Sequence, residues 1–138
     1  MSFRLFTKED ISQLLLWFGD PEIRHHLSGF DPPRKQFELI LEHANRWAYV
    51  WVKEEEILAF AEIELEEDWA NLLIMVKGNY RKKGLGNKML LHLQSQKLAP
   101  QYHAYIDPKN TASIHCFKQA GFSFMEEEEG MEKWIWKA

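Results

Sequence analysis

The segment from residue 71 to residue 106 constrains the fold of this chain more than any other. It begins with "NLLIMV", an almost wholly apolar run that indicates a strand buried on both faces. Apolar residues then recur at helical spacing over about 84–98, and "YHAYI" at 102–106 indicates another strand. A strand, a helix and a strand in this order predict a right-handed crossover that sets 102–106 parallel to 71–77.

Two further helices are indicated in the N-terminal third of the chain. Thr7 resembles an N-cap, and Asp10 three residues later gives a capping-box pattern that opens a helix over about 8–18. Apolar residues at helical spacing predict another helix over about 33–46. The stretch between them, 20–31, is expected to be a loop or a short helix.

Alternation of apolar and polar residues marks the other strands. The remaining predicted elements are strands at 3–6, 47–53, 57–66 and 69–77, a helix at 111–120, and a last hairpin made of "FSFM" and "MEKWIW". Short polar turns join the three central strands, so these should form an antiparallel meander. The expected fold class is α/β, of the α+β kind, with a mixed central sheet of six to seven strands and about four helices in a single domain over 1–138.

Composition argues against several classes of partner. The net charge is −4 and the pI about 5.9, so nucleic-acid binding would need a local basic stripe, which only 77–88 offers. No apolar run approaches the length of a membrane span, and we expect a cytoplasmic protein with no membrane partner. Cys116 is the single cysteine, which excludes an internal disulfide and argues against a structural zinc site, so no metal is expected.

The loop before the crossover helix has an unusual charge. Arg81, Lys82 and Lys83 directly precede Gly84, where a helix presents free N–H groups and the positive end of its dipole. Cations are the wrong sign for that position, and a bound anion would explain them. Glycines at 84 and 86 would let the backbone approach the anion closely. The spacing fits neither the dinucleotide-binding pattern nor the P-loop.

Two segments of the chain carry a resemblance to a known family. "RKKGLG" at 81–86 is similar to the R/Q-x-x-G-x-G/A signature of the GCN5-related N-acetyltransferases (GNAT), which cradles the pyrophosphate of acetyl-CoA. "NTASIHCFKQAGF" at 110–122 resembles the second conserved segment of the same family. The resemblance implies the GNAT fold, in which the parallel strands at 71–77 and 102–106 splay apart at their ends.

The resemblance also implies which residues contact acetyl-CoA. These are Met75, Val76, Lys77, Arg81, Lys82, Lys83, Gly84, Leu85, Gly86, Asn87, Asn110 and Phe117. The first three would pair through their backbone with the pantetheine arm, and the run from 81 to 87 would hold the pyrophosphate. A backbone N–H near Val76 would also polarise the thioester carbonyl. Asn110 would anchor the cofactor side of the following helix, and it is also a good N-cap.

Acetyl transfer to an amine requires a group that removes a proton from the ammonium. Glu62, Glu64 and Glu66 alternate along one predicted strand and therefore point to the same face. We take Glu62 and Glu64 as the candidate catalytic bases. The alternative is that these acids are simply the solvated side of a strand whose other side is buried.

Several residues near the predicted site have ordinary interpretations. Many family members carry a tyrosine that protonates the departing thiolate, where this chain has Phe117, which has no proton to give. A thiolate with a pKa near ~8.5 can instead take its proton from water. Cys116 is interpreted as a core residue, and His25 and His26 as surface residues near the mouth of the acceptor site.

The predicted activity is that of an N-acetyltransferase, an acyltransferase that moves groups other than aminoacyl groups. It would transfer acetyl from acetyl-CoA directly to a primary amine of a small molecule or a protein, as a monomer or a homodimer. "LLLWFGDPEIRHHL" resembles the substrate-access region of members that act on aminoglycosides or on N-terminal amines of ribosomal proteins. The alternatives are a non-catalytic acyl-CoA binder or sensor and, less favoured, a nucleic-acid module.

Overall fold

A computed structural model of the chain describes residues 2–80 and 84–138. The predicted pyrophosphate contacts Arg81, Lys82 and Lys83 therefore lie outside the described residues. The strands are β1 (Ser2–Leu5), β2 (Arg46–Lys53), β3 (Glu56–Leu65), β4 (Ala70–Val76), β5 (Gln101–Ile106), β6 (Ser123–Glu128) and β7 (Met131–Lys137). They form a single sheet in the order β1-β2-β3-β4-β5-β7-β6. This confirms the predicted mixed sheet of six to seven strands, with seven strands present among the described residues.

The described residues form five α-helices, one more than expected. They are α1 (Ile11–Leu15), α2 (Pro21–His26), α3 (Pro33–Glu42), α4 (Leu85–Gln96) and α5 (Thr111–Gln119). The additional helix is α2, which occupies the stretch predicted as a loop or a short helix. Helix α3 is shorter than predicted because the backbone is already extended at His43, and β2 begins at Arg46.

The predicted helix over 8–18 is a composite. Its central turn is α1, with 3-10 turns at Lys8–Asp10 and Leu16–Gly19 on either side. The predicted capping box at its start is confirmed, because the Asp10 carboxylate accepts a hydrogen bond from the Thr7 backbone N–H at 2.9 Å. Arg4 donates two hydrogen bonds to the same carboxylate, at 2.8 and 2.9 Å. These contacts attach the start of the helical region to β1.

Two apolar cores lie on the two faces of the sheet. One contains α4 and α5, whose Met89, Leu90 and Phe117 pack against Ala61 and Tyr102 of the strands. The other contains the first three helices, represented by Leu14, Ile23 and Phe37, against Val50 and Phe60. Each face of the central strands is thus covered by helices, which agrees with the nearly continuous apolar sequence of β4.

Strands β4 and β5 form the one parallel pair among the described strands, and their pairing stops early. Only Ala70 with Tyr102 and Asn71 with His103 are in register. Beyond these pairs β4 remains paired with β3 as far as Val76, and β5 remains paired with β7 as far as Ile106. A gap therefore opens between the carboxyl ends of β4 and β5, as the resemblance implied.

None of the helices in the described part of the chain combines the length and the apolar character needed to cross a membrane.

Candidate active site

A cavity of about 700 Å³ lies at the open end of the gap between β4 and β5. Its walls are α2, the last residues of β4, and the first turns of α4 and α5. Among the residues predicted to contact the cofactor, those that line this cavity are Met75, Val76, Gly84, Leu85, Gly86, Asn87, Asn110 and Phe117. Lys77 is not among the described lining residues, and its ammonium pairs with Glu56.

The backbone of β4 offers peptide groups to this cavity. The Lys77 N–H donates to the Leu58 carbonyl at 2.9 Å, so these two residues form a hydrogen-bonded pair of the β3–β4 ladder. Because pairing alternates along an antiparallel ladder, the peptide groups of Met75 also face β3, whereas those of Val76 and Ile74 face the other way. Within the predicted run 75–77, Val76 is therefore the residue whose N–H and C=O point into the gap.

The start of α4 provides a second set of backbone donors. Gly84 is the N-cap, with a left-handed φ of 77°, a conformation that glycine adopts without steric cost. Helix α4 begins at Leu85, and the N–H groups of a first helical turn have no partner within the helix. Leu85, Gly86 and Asn87 line the cavity, so this turn is suited to hold an anionic group.

Gly86 has a packing role that the sequence analysis did not identify. A Cβ atom built on Gly86 would lie 2.7 Å from the Sγ atom of Cys116 on α5, well inside normal contact distance. The absence of a side chain at 86 thus allows α4 and α5 to approach each other closely. Helix packing therefore favours glycine at position 86, in addition to the predicted access of an anion.

Asn110 has the cap role that its position in the sequence indicated. Its side-chain oxygen accepts a hydrogen bond from the Ser113 N–H at 3.2 Å, and it is the N-cap of α5. Asn110 also lines the cavity, so its cap role does not remove it from the site. The residue is placed to orient the first turn of α5 toward whatever occupies the cavity.

The described α5 residues that line the cavity include no aspartate, glutamate or tyrosine. Phe117 is buried and packs edge-to-face on Phe122, with ring centroids 4.9 Å apart. Cys116 beside it is half-buried, and burial raises the pKa of its thiol to about 11. The thiol is therefore protonated at neutral pH, which agrees with its interpretation as a packing residue.

The two candidate bases lie in different environments on β3. Glu62 is only 7% exposed, and its Oε2 atom accepts a hydrogen bond from Arg46 Nε at 2.7 Å and lies 2.5 Å from Arg46 Nη2 in the same ion pair. Burial raises the pKa of Glu62, the Arg46 guanidinium opposes that rise, and the Glu64 carboxylate adds to it. The Glu64 side chain is 40% exposed, with its Oε2 atom 3.9 Å from Arg46 Nε. The alternative interpretation, in which these glutamates are simply solvated acids on the exposed side of a strand, therefore fits Glu64 and does not fit Glu62.

A smaller cavity of about 180 Å³, which no sequence pattern indicated, continues beneath the gap. Its lining includes Asn71, Leu73 and Ala104, and it shares His26 and Phe117 with the larger cavity. Asn71 faces the same side of the sheet as Glu64, which is its register partner on β3. The smaller cavity therefore extends from the larger cavity toward the face that carries the acidic row.

His26 was predicted to be a surface residue, and this prediction is wrong. Its side chain is only 14% exposed, and its Nδ1 atom lies 3.2 Å from Asp107 Oδ2. His25 is exposed, as expected. The contact joins residues 81 positions apart, so no local pattern in the sequence indicated it.

The sequence matches the Acetyltransferase (GNAT) family over residues 11–122, which is most of the chain. The chain belongs to the GNAT family. No curated protein sequence matches it at a significant level.

Several solved structures share its fold at low sequence identity. The GNAT domain of S. lividans PAT superimposes with a TM-score of 0.86 and 17% identity, covering 99% of this chain and 89% of that one. Aminoglycoside acetyltransferase AAC(6')-Ib, in complex with coenzyme A and kanamycin, gives 0.82 and 17%, covering 99% and 94%. Campylobacter jejuni N-acetyltransferase PseH, in complex with acetyl coenzyme A, gives 0.72 and 13%, covering 99% of each chain.

The contact between α4 and α5 yields a testable expectation. Gly86→Ala should lower the free energy of unfolding by about 1–3 kcal/mol, because the new methyl group overlaps Cys116 Sγ. Combining it with Cys116→Ala should recover most of that loss, since the smaller side chain vacates the overlapping volume. Urea denaturation of the single and double variants measures the coupling. Additive effects of the two substitutions would contradict the close contact.

Proposed function

We propose that this protein is an N-acetyltransferase that moves the acetyl group of acetyl-CoA directly to a primary amine within a ternary complex. The observation that carries the proposal is the convergence of three features on one cavity. These are the Val76 peptide group in the gap, the first turn of α4, and Asn110 at the start of α5. Membership of the GNAT family and the coenzyme A complexes of its structural neighbours support the same cosubstrate.

Each part of the cavity suits a different part of acetyl-CoA. The pyrophosphate would accept hydrogen bonds from the first turn of α4, with Arg81, Lys82 and Lys83 neutralising its charge. The pantetheine amides would pair with the β4 peptide groups that face the gap, around Val76. No part of the proposal needs a metal ion.

In the proposed step a neutral amine attacks the carbonyl carbon of the thioester. The N–C bond forms, the C–S bond breaks, the thiolate leaves with the electron pair, and the nitrogen releases its second proton to water. Negative charge develops on the carbonyl oxygen, where the Val76 N–H would stabilise it. An ammonium group with a pKa near ~10.4 is neutral in only roughly one molecule in 2,500 at pH 7, so a base must remove its proton.

We assign proton removal to the acidic row of β3, acting directly or through water. Glu64 is the stronger candidate because its carboxylate is more accessible. Glu62 is held by a hydrogen bond and an ion pair with Arg46, so its proposed role is to fix the position of Arg46 and of the positive charge beside Glu64.

The departing thiolate would take its proton from water. Phe117 has no proton to give, and the Cys116 thiol, with its pKa of about 11, holds its proton more tightly than a free thiol with a pKa near ~8.5. Proton transfer from Cys116 to the thiolate is therefore unfavourable. A thiolate with this pKa is a tolerable leaving group without a dedicated acid.

The acceptor in this proposal is a primary amine of a small molecule, a protein N-terminus or a lysine. One neighbour, AAC(6')-Ib, was solved with the aminoglycoside kanamycin, which supports an amine acceptor as a class. Nucleic acid and membrane lipids are not proposed as partners.

A non-catalytic acyl-CoA-binding or sensing protein is the second candidate. Phe117 in place of the family's tyrosine favours it, as does the engagement of Glu62 by Arg46. Such a protein would bind the cofactor in the same cavity without transferring its acetyl group.

The central test compares binding with turnover. We expect coenzyme A to bind with one-to-one stoichiometry by calorimetry, and acetyl-CoA to release free thiol in the presence of at least one member of a panel of primary amines. Acetylated product identified by mass spectrometry confirms transfer. Saturable binding with no thiol release for any amine would favour the sensor, and no binding would exclude both candidates.

The assignment of the base predicts distinct effects for the acids of β3. Glu64→Gln should lower kcat by about 10²–10⁴-fold and remove a limb of the pH–rate profile, because the proton acceptor is lost. Glu66→Gln is the control, since it removes the same charge from an exposed position directly after β3. Steady-state kinetics across pH measures both. An unchanged profile for Glu64→Gln would place the base elsewhere.

Glu62→Gln should instead act mainly on stability. It leaves the largely buried Arg46 without its charged partner and should lower the free energy of unfolding by about 1–3 kcal/mol. Urea denaturation of this variant beside Glu64→Gln separates the two roles. A stability loss that is larger for Glu64→Gln would contradict the assignment.

The direction of the Val76 peptide group can be tested by removing its N–H. Val76→Pro deletes a donor that faces the gap and leaves the β3–β4 ladder bonds in place, so kcat should fall by about 10²–10³-fold. Val76→Ala is the control, because it shortens the side chain and keeps the N–H. Circular dichroism and calorimetry with coenzyme A verify the fold of both variants. A kcat for Val76→Pro close to that of Val76→Ala would contradict the oxyanion role.

A further inference from the structure

Three side chains from distant parts of the sequence converge at the edge of the smaller cavity. His25 and His26 end helix α2, and Asp107 directly follows β5. One ligand-type atom from each lies within 4.8 Å of the others. His26 Nδ1 is 3.2 Å and His25 Nε2 is 3.9 Å from the same carboxylate oxygen, Asp107 Oδ2.

Helical geometry alone does not produce this convergence. Consecutive residues of an α-helix point about 100° apart, so neighbouring side chains ordinarily diverge. Here the helix stops at His26, and Leu27 has non-helical backbone angles. The two imidazole rings instead pack edge-to-face, with centroids 5.1 Å apart, and both present a nitrogen to Asp107.

The Asp107 carboxylate is held in an orientation that suits a ligand. Its Oδ1 atom accepts a hydrogen bond from the Lys109 backbone N–H at 2.9 Å, which leaves Oδ2 directed at the histidines. The carboxylate is thus oriented before any ion arrives, as supporting contacts do in metal sites.

We propose that His25, His26 and Asp107 form a binding site for one divalent transition-metal ion of the zinc class, which ties α2 to the end of β5. Two imidazole nitrogens and one carboxylate oxygen suit Zn²⁺, Co²⁺ or Ni²⁺ rather than Mg²⁺ or Ca²⁺, which take mainly oxygen ligands. In tetrahedral zinc coordination, ligand atoms lie about 3.3 Å from one another. The 3.2 Å separation already meets this value, and rotation of the exposed His25 would shorten the 3.9 Å one.

The location gives the site a consequence for the cavity. His26 lines both cavities, and Asp107 lines the smaller one. Three protein ligands leave a fourth position of a tetrahedral ion open to water or to a donor in the cavity. A bound ion would also fix α2, which forms one wall of the larger cavity, against the sheet.

Cobalt spectroscopy tests the site without any substrate, so its outcome is independent of acetyl transfer. Titration of metal-free protein with Co²⁺ should give visible absorption bands that saturate at one equivalent, and Zn²⁺ should displace them. His25→Ala and Asp107→Asn should each raise the dissociation constant for Zn²⁺ by at least roughly 10–100-fold. That factor is the usual cost of losing a residue that only supports a metal ligand, and these two residues are proposed ligands. Calorimetry with Zn²⁺ provides the dissociation constants.

The matched control is His43→Ala, which removes an exposed histidine outside the cluster. It should bind Zn²⁺ like the parent protein. Hydrogen exchange provides a second measurement, in which Zn²⁺ should slow exchange of the α2 amides in the parent and not in Asp107→Asn. Equal affinities for the Asp107→Asn, His43→Ala and parent proteins, or no saturable cobalt spectrum, would overturn the proposal and leave an ordinary histidine–aspartate ion pair.

Discussion

The early end of pairing between β4 and β5 is the constraint on which the site depends. Buried peptide groups need hydrogen-bond partners. Neighbouring strands therefore normally remain paired until their peptide groups are exposed and can form hydrogen bonds with water. Here β3 holds β4 as far as Val76 and β7 holds β5 as far as Ile106, yet the two strands part after Asn71 and His103. Phe117 lines both cavities and therefore lies beside this gap. The outward peptide groups of β4 are therefore available to a ligand that carries amides of its own.

A second constraint brings the start of α4 to the same place. The close approach of Gly86 to Cys116 lets the first turns of α4 and α5 line one cavity. At the other end of the helices, Gln94 Nε2 donates to the Ala120 carbonyl at 2.7 Å and holds the pair together. A residue with a side chain at 86 would separate the helices and displace the backbone donors from the gap. Packing and anion binding thus impose the same choice of residue.

The parts of the site that could be predicted from sequence are those with local signals. The apolar run of β4, the helical spacing after it and the glycines between them indicated the crossover and the position of the α4 N-terminus. Helix α2 spans only Pro21–His26, too short for a periodic pattern to identify. The contact of His26 with Asp107 depends on how α2 lies against the sheet, and nothing local encodes it.

The acidic row shows the same limit within a single strand. Alternation correctly placed Glu62 and Glu64 on one face of β3, but it could not tell which of them the helical layer would cover. In the structure Arg46, opposite Glu64 on β2, reaches across to Glu62, and the two are buried together. Burial of one acid with its own cation leaves the neighbouring acid nearer to solvent. The distinction between the two glutamates is therefore a product of tertiary packing.

The two faces of the sheet have different parts in the proposed reaction. Helices α4 and α5 pack on one face, and their first turns line the large cavity, where the cofactor is proposed to bind. The acids of β3 lie on the other face, with the layer that contains α1, α2 and α3. A continuous sheet would separate the thioester from the base. The gap between β4 and β5 removes that barrier. The smaller cavity beneath the gap extends from Phe117 to Asn71, and Asn71 is the register partner of Glu64 on β3. In the proposed mechanism the amine and the acetyl group must therefore meet within this gap, where one peptide group of β4 can contact the carbonyl oxygen while the proton leaves toward β3.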